Sequence, residues 1–178
     1  RHYQLLKMAH PECTLYSSER IAPIAAGYQV IYHAGAAHKI TVAFRFGCPS
    51  CLRDMDKVLA VIRERDDVAV EFAFVSWYSH LKQDLPFILY FVQLYLTDRI
   101  KFLDKLGEYV SDYPAHKERY SLKTDEIHAA ARDMIVHHIR WVAENHIQRT
   151  PTYLLDDRLV SLYYTFDDLI NILTNSNI

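Results

Sequence analysis

The residues of this chain with the clearest capacity for chemistry are two cysteines in the run Cys48-Pro49-Ser50-Cys51. The run follows a β-prone segment and begins a helix-like segment, so its thiols are predicted to lie at a helix N-terminus. Unsatisfied N–H groups and the positive end of the helix dipole at that place favour the thiolate over the thiol. Because the thiolate is the form that attacks disulfides, the run predicts a redox-active cysteine pair.

A second motif, Thr150-Pro151-Thr152, begins another strand-like run about 100 residues after the cysteines. A C-x-x-C pair beside a strand–helix–strand pattern is typical of redox proteins. Together the two motifs make thiol–disulfide chemistry the leading hypothesis.

Composition limits the classes of protein that need to be considered. With 178 residues, 51% of them hydrophobic and 24% charged, the chain is expected to form one globular domain. A net charge of −2 with mixed signs gives no electrostatic case for binding nucleic acid or an anionic membrane. The longest apolar stretch, 85–96, has about half the length that a membrane-spanning helix needs. Because the chain begins at Arg1 rather than Met, we expect a processed product or a piece of a longer protein.

Hydrophobic periodicity predicts elements in the order β-β-α-β, a group of helices, then β-β-α. The expected strands cover residues 29–33, 40–46, 68–76, 151–155 and 158–163. The expected helices run from the cysteines to about residue 63, from 84 to about 109, from 125 to 146 and from 165 to about 173. A crossover helix makes the strands it joins parallel, whereas a hairpin is antiparallel, so we expect a mixed sheet. The expected organisation has an N-terminal lead or linker at 1–27, a domain at 28–178 and, within it, a helical insertion at about 81–148.

Two helix starts are predicted from particular residues. Asp84 before Pro86 predicts an N-cap with proline in the first turn. Thr165 with Asp168 three residues later predicts a capping box for the last helix.

With these elements in this order, the C-x-x-C pair after a strand and Thr150-Pro151 before the closing ββα, the chain resembles the thioredoxin superfamily. The helical insertion resembles the DsbA-like branch. The resemblance implies an α/β thioredoxin fold, with a mixed central sheet and a helical insertion between the βαβ and ββα halves. It also implies a protein disulfide oxidoreductase that exchanges disulfides with protein or peptide thiols and uses no cofactor beyond its cysteine pair. The direction, oxidising or reducing, stays open.

The resemblance also assigns roles to the cysteines. Cys48 would be the exposed attacking thiol, and Cys51 the resolving thiol one helical turn deeper. Many superfamily members carry a buried carboxylate six residues before the first cysteine, where this sequence has Val42. Deprotonation of the resolving thiol therefore lacks its usual group.

Substrate binding is assigned by the same resemblance to the surroundings of the cysteines. The peptide bond before Pro151 would be cis, and the Thr150 backbone would be available to an extended substrate peptide. Pro49 and Ser50, between the cysteines, are expected to border the same peptide.

The segment 150–159, followed by Tyr164 and the run 167–169, is similar to thioredoxin-like domains joined to bacterial vitamin K epoxide reductase-type membrane proteins. This narrower resemblance implies a bacterial, extracytoplasmic or periplasmic domain that could be membrane-tethered in the full-length protein. It also implies a membrane-embedded redox partner in the same chain or complex. Val160 stands where that family usually has proline.

Two other functions stay open. The thioredoxin fold could serve a non-catalytic interaction module, since fold does not fix function. His10 and Cys13 could complete a structural zinc site with the cysteine pair. His137 and His138 cannot chelate one metal together, because adjacent residues on a helix point about 100° apart. We therefore expect His138, on the apolar face, to be a hydrogen-bonded core histidine.

Overall fold

The computed structural model of the chain describes residues 15, 17, 19–123 and 128–175. Its strands are β1 (Val30–Tyr32), β2 (His38–Phe44), β3 (Val68–Phe74), β4 (Thr152–Leu155) and β5 (Arg158–Leu159). Its α-helices are α1 (Pro49–Glu64), α2 (Leu81–Thr97), α3 (Arg99–Asp112), α4 (Ala129–Glu144) and α5 (Phe166–Asn175). Short 3₁₀ turns precede α2 and follow α3, at Tyr78–His80 and Lys117–Tyr120.

The strands form one mixed sheet in the order β1-β3-β2-β4-β5. The central strands β2 and β3 are parallel and are joined through α1, whereas the other neighbouring strands are antiparallel. Every residue of β3 is buried, which agrees with a strand covered on both faces. The expected mixed sheet with a parallel central pair is therefore confirmed, and the carboxyl end of β2 leads directly to the cysteines.

Aromatic rings connect the carboxyl ends of the parallel strands β2 and β3 to the helices of the insertion. Phe46, two residues before the first cysteine, is fully buried and stacks on Phe91 of α2 at 5.1 Å between ring centroids. The Phe46 ring also stacks on Phe74 of β3 at 6.0 Å and meets Tyr109 of α3 edge-on at 5.4 Å. Burial of several large rings in one cluster is a major source of apolar stabilisation. The insertion is thus held against the same edge of the sheet as the cysteines.

The helix expected from 84 to about 109 is two helices, so that prediction was wrong. α2 ends at Thr97, and Asp98 adopts an extended conformation with φ −156° and ψ 99°. The Asp98 carboxylate accepts a hydrogen bond from the Lys101 N–H at 2.9 Å and so caps α3. An aspartate at this position satisfies an N–H group that the new helix would leave without a partner.

The expected N-cap at Asp84 was also wrong, because α2 begins three residues earlier, at Leu81. Pro86 is accordingly inside the helix rather than in its first turn. The Asp84 carboxylate is buried, where it accepts a hydrogen bond from the Ser76 hydroxyl at 2.8 Å and lies 3.3 Å from Arg45 Nε. Burial raises the pKa of Asp84, against the opposing effects of Ser76 and Arg45. Its role is to connect α2 to the ends of β2 and β3.

Other boundaries differ by a few residues. β2 begins and ends two residues before the predicted range, and β5 is much shorter than 158–163. α4 begins at Ala129 rather than 125, while 124–127 lie outside the described residues. The capping box is confirmed, since the Thr165 N–H donates to the Asp168 carboxylate at 2.7 Å and the Asp168 N–H donates to the Thr165 hydroxyl at 3.2 Å. No helix in the described ranges is both long and apolar enough to cross a membrane.

The described part of the expected N-terminal lead lies beside β5, the last strand in the sheet order. The Ser17 N–H donates to the Leu159 carbonyl at 2.8 Å, and the Ile21 N–H donates to the Asp157 carbonyl at 2.9 Å. Ile24 is buried in an apolar cluster with Trp141 of α4. The lead is irregular, as expected, yet its backbone and one side chain are integrated into the domain. The boundary between residues 27 and 28 stays a prediction.

Candidate active site

The first turn of α1 is formed around the cysteine pair. Cys48 is the N-cap residue, with φ −92° and ψ 111°, and its sulfur accepts a hydrogen bond from the Cys51 N–H at 3.4 Å. Pro49 occupies the first helical position, where its missing N–H costs no hydrogen bond. Gly47 has a φ of +81°, a conformation that favours glycine, and turns the chain from β2 into the helix. The sequence therefore places one sulfur at the electropositive end of α1.

Three neighbours donate hydrogen bonds to the Cys48 sulfur through their side chains. The Cys51 thiol donates with 2.6 Å between the two Sγ atoms, and both cysteines are free thiols rather than a disulfide. The Ser50 hydroxyl lies 3.3 Å from the Cys48 sulfur, and the Thr150 hydroxyl donates at 3.4 Å. All three donors favour a negative charge on Cys48.

These contacts shift the pKa values of the two cysteines in opposite directions. The hydrogen bond from Cys51, with further ones from Ser50 and Thr150, lowers the pKa of Cys48 to about 4 although burial opposes the shift. The same hydrogen bond to Cys48, together with burial, raises the pKa of Cys51. At neutral pH the pair therefore holds one thiolate and one thiol, and the thiolate belongs to Cys48.

Cys48 is less exposed than expected. Its exposed fraction is 9%, against 1% for Cys51. The expectation of an exposed attacking thiol was therefore too strong, because Ser50 and Thr150 lie against the sulfur. The expected difference in depth is nevertheless observed, and Cys48 is the more accessible of the two.

The Thr150–Pro151 loop lies beside the cysteines, although it is about 100 residues away in the sequence. The peptide bond between Thr150 and Pro151 is cis. The Thr150 carbonyl oxygen lies 3.6 Å from the Cys48 sulfur and 3.5 Å from the Ser50 hydroxyl. Pro49, at the start of α1, is exposed. The residues expected to form the site are thus brought together at one edge of the sheet.

One polar pair near the cysteines was missed at the level of sequence. The Tyr153 hydroxyl of β4 donates to the Asp54 carboxylate of α1 at 2.5 Å. Burial raises the pKa of Tyr153, and the contact with Asp54 and the nearby Cys51 act in the same direction. Asp54 comes three residues after Cys51, and Tyr153 comes two residues after Pro151. This closeness in sequence to the two motifs is the signal that could have identified the pair as part of the site.

The structure shows the surroundings of Val42 and Val160, the two residues at which the sequence departs from the family patterns. Val42 is buried and is the direct cross-strand partner of Tyr153, so the position of the missing carboxylate is apolar and faces the same side of the sheet as the tyrosine. The Val160 N–H donates to the Tyr153 carbonyl at 2.9 Å. A proline at residue 160 would lack this donor.

Two cavities are lined in part by residues that precede the site residues in the sequence. One, of about 340 Å³, is lined by Gly47, Asp84 and Lys117, among others, and lies next to the residue before Cys48. Another, of about 390 Å³, is mainly apolar, is lined in part by Trp77 and extends to Gln148, two residues before Thr150.

The predicted core histidine is confirmed. His138 is fully buried, its Nδ1 accepts from the Phe74 N–H at 3.2 Å, and its Nε2 is 2.7 Å from the Tyr28 carbonyl. Burial lowers the pKa of His138 to about 4, so it is neutral. His10 and Cys13, which the zinc alternative needs, lie outside the described residues. Within the described ranges no group of three or more His, Cys, Asp or Glu side chains could hold a metal.

No protein-family model and no curated protein matches the sequence. Solved structures resemble the fold. BdbD from Bacillus subtilis superimposes with a TM-score of 0.63 at 13% identity, over 90% of this chain and 97% of that one. DsbA2 from Pseudomonas aeruginosa gives a TM-score of 0.60 at 12% identity, over 80% and 91% of the two chains. MdbA, a thiol-disulfide oxidoreductase from Actinomyces oris, gives 0.55 at 10% identity, over 86% and 88%.

Proposed function

We propose that this chain, which has a DsbA-like thioredoxin fold, is a thiol–disulfide oxidoreductase whose redox centre is Cys48 and Cys51. The observation that carries the proposal is the set of donors around the Cys48 sulfur. A thiolate stabilised at a helix N-terminus and partly accessible is the nucleophile that disulfide exchange requires. The structurally similar MdbA is a thiol-disulfide oxidoreductase, which supports the same chemistry.

The reaction proceeds in two exchanges. The Cys48 thiolate attacks one sulfur of a substrate disulfide, which releases the other as a thiolate and leaves a mixed disulfide. The Cys51 thiol then loses its proton and attacks the Cys48 sulfur, so that the second substrate sulfur leaves. Two electrons pass to the substrate, and the protein ends with a Cys48–Cys51 disulfide. The reverse sequence oxidises a substrate dithiol, and the environment sets the direction.

Substrate binding is proposed at the surface around Thr150 and Pro151, together with Pro49 and Ser50. An extended peptide here would lie within reach of the Thr150 backbone. The absence of an N–H on Pro151 leaves no competing donor beside that backbone. Protein or peptide thiols and disulfides are the proposed substrates.

An extracytoplasmic, periplasmic location is proposed because a thioredoxin-like protein of similar fold from Salmonella enterica serovar Typhimurium is periplasmic. The similarity of segment 150–159 to thioredoxin-like domains of vitamin K epoxide reductase-type proteins supports a membrane-embedded redox partner. Co-purification from membranes of a cell that expresses the full-length protein would test this partner.

Trapping experiments test the roles of the cysteines. In a Cys13→Ser background, Cys51→Ser should accumulate a covalent mixed disulfide with a peptide disulfide, since no thiol remains to release the partner. Cys48→Ser should form none, and mass spectrometry of the unreduced proteins distinguishes the two. Equal trapping by both variants would contradict the assigned roles. An inert interaction module would trap nothing, and a zinc domain would release metal on oxidation of its thiols.

A further inference from the structure

The second exchange needs a group that accepts the proton of Cys51. Before the reaction, the Cys51 thiol donates to the negatively charged Cys48 sulfur. Once Cys48 is bonded to a substrate sulfur it carries no charge and becomes a poor acceptor. Because burial keeps Cys51 protonated, the mixed disulfide would persist unless another acceptor lies nearby.

The Asp54–Tyr153 pair lies where such an acceptor is needed. Cys51 and Asp54 are three residues apart in α1 and therefore share one side of the helix. Tyr153 approaches this side from β4, and its hydroxyl donates to the Asp54 carboxylate. The tyrosine is 7% exposed and interacts electrostatically with Cys51. The opposing residue on β2, Val42, offers no polar atom in its side chain.

Charged side chains of α1 and α5 also interact with the pair. Lys57, one turn after Asp54 on α1, interacts with it electrostatically. Asp167, at the start of α5, interacts in the same way with Tyr153. Lys57 and Asp167 form an ion pair with each other at 2.6 Å, in which both side chains are about half exposed. Asp54 thus lies one helical turn after Cys51, and its hydrogen-bond partner Tyr153 interacts electrostatically with Cys51.

We propose that the Asp54–Tyr153 pair accepts the proton of Cys51 when the mixed disulfide is resolved, an inference that rests on the proposed oxidoreductase function. The Cys51 thiol gives its proton to the Tyr153 oxygen while the Tyr153 proton passes to Asp54. The Cys51 sulfur then bonds to the Cys48 sulfur, and the substrate thiolate leaves with the electron pair of the broken bond. Asp54 ends protonated and returns the proton to solvent.

Stopped-flow absorbance with dithiobis(nitrobenzoate), an aromatic disulfide, separates the two exchanges. Reduced protein in a Cys13→Ser background releases one coloured thiolate when Cys48 attacks. It releases a second when Cys51 resolves the mixed disulfide, at a rate independent of reagent concentration. Missing release of the first thiolate would overturn the proposed function and this inference with it. If the first phase is normal, Cys48 attacks as proposed, and the rate of the second phase alone tests the proton acceptor.

Asp54→Asn and Tyr153→Phe should slow the second phase by about 100-fold near neutral pH, the lower range of general base catalysis. The first phase should be unchanged. The deficit should shrink as pH rises, because hydroxide then deprotonates Cys51 directly. Asp54→Glu should restore most of the rate. Tyr153→Phe keeps the ring that lies 5.7 Å from Phe166, so it carries the test if Asp54→Asn fails to fold.

The matched control is Asp56→Asn, which removes an exposed carboxylate from the same helix and should leave both phases unchanged. A second phase as fast in Asp54→Asn and Tyr153→Phe as in the parent would overturn the proposal. So would a slowing that is the same at every pH, because this would show that the pair only ties α1 to β4.

Discussion

The two cysteines at the ends of the first turn of α1 have pKa values that are shifted in opposite directions. At the N-cap, the Cys48 sulfur receives hydrogen bonds from Cys51, Ser50 and Thr150, and its pKa falls to about 4. One turn deeper, the Cys51 sulfur gives a hydrogen bond, lies in the core, and has a raised pKa. The lesson is that a residue's position relative to the helix start, rather than its identity, decides which cysteine attacks.

The largest change in the pKa of Cys48 should follow from removal of the Cys51 thiol. Cys51→Ala deletes the strongest donor to the Cys48 sulfur, so the pKa of Cys48 should rise well above 4. The rate of alkylation by iodoacetamide against pH, in a Cys13→Ser background, measures this pKa in the parent and the variant. If the pKa of Cys48 in the parent is instead near that of a free cysteine, about 8.5, the contrast between the two cysteines is wrong.

A second effect should appear in the pH dependence of stability. The pKa of Cys48 is lower in the folded protein than the value of about 8.5 in the unfolded chain, so the thiolate stabilises the fold above about pH 8.5. That contribution is lost as pH falls towards 4. Relative to Cys48→Ala, the reduced protein should lose at most about 1.4 kcal/mol per pH unit over this interval.

Urea unfolding of both reduced proteins at several pH values checks this expectation. Cys51 stays protonated in both states below about pH 8.5, so it adds no slope there. A difference in stability that does not vary with pH would mean that Cys48 is not a thiolate in the folded protein.

The smallest effects should come from the two hydroxyl donors. Ser50→Ala and Thr150→Val each remove one hydrogen bond to the Cys48 sulfur, and each should raise its pKa by less than Cys51→Ala does. Thr150→Val nearly keeps the shape of the side chain and so separates the hydroxyl from the packing of the loop. The alkylation profile applies here too, and a shift in either variant as large as that in Cys51→Ala would contradict the ranking.

Local patterns were enough to predict the features of this chain that depend on neighbours in sequence. The position of the cysteines at a helix start follows from a strand-like run and a proline at the first helical position. The reciprocal bonds of Thr165 and Asp168 follow from their spacing of three residues. Such features are set by hydrogen bonds within one turn of a helix, which a sequence displays directly.

Several features set by distant partners were not predicted. Asp84 looked like a cap, but its partners are Ser76 and Arg45, and the carboxylate is buried between elements. Tyr153 and Asp54 are 99 residues apart, so no periodicity connects them. The break at Asp98 was missed because neither proline nor glycine marks it, although aspartate is a common N-cap residue.

The backbone hydrogen bonds made by Ser17 and Ile21 have a consequence for the solution behaviour of the protein. β5 is the last strand of the sheet, and the outward N–H and C=O groups of such a strand are a template for pairing with another chain. The lead covers part of this row by donating to Leu159 and Asp157. A fragment that begins at residue 28 would lose that cover and should self-associate through β5, whereas the longer chain is protected.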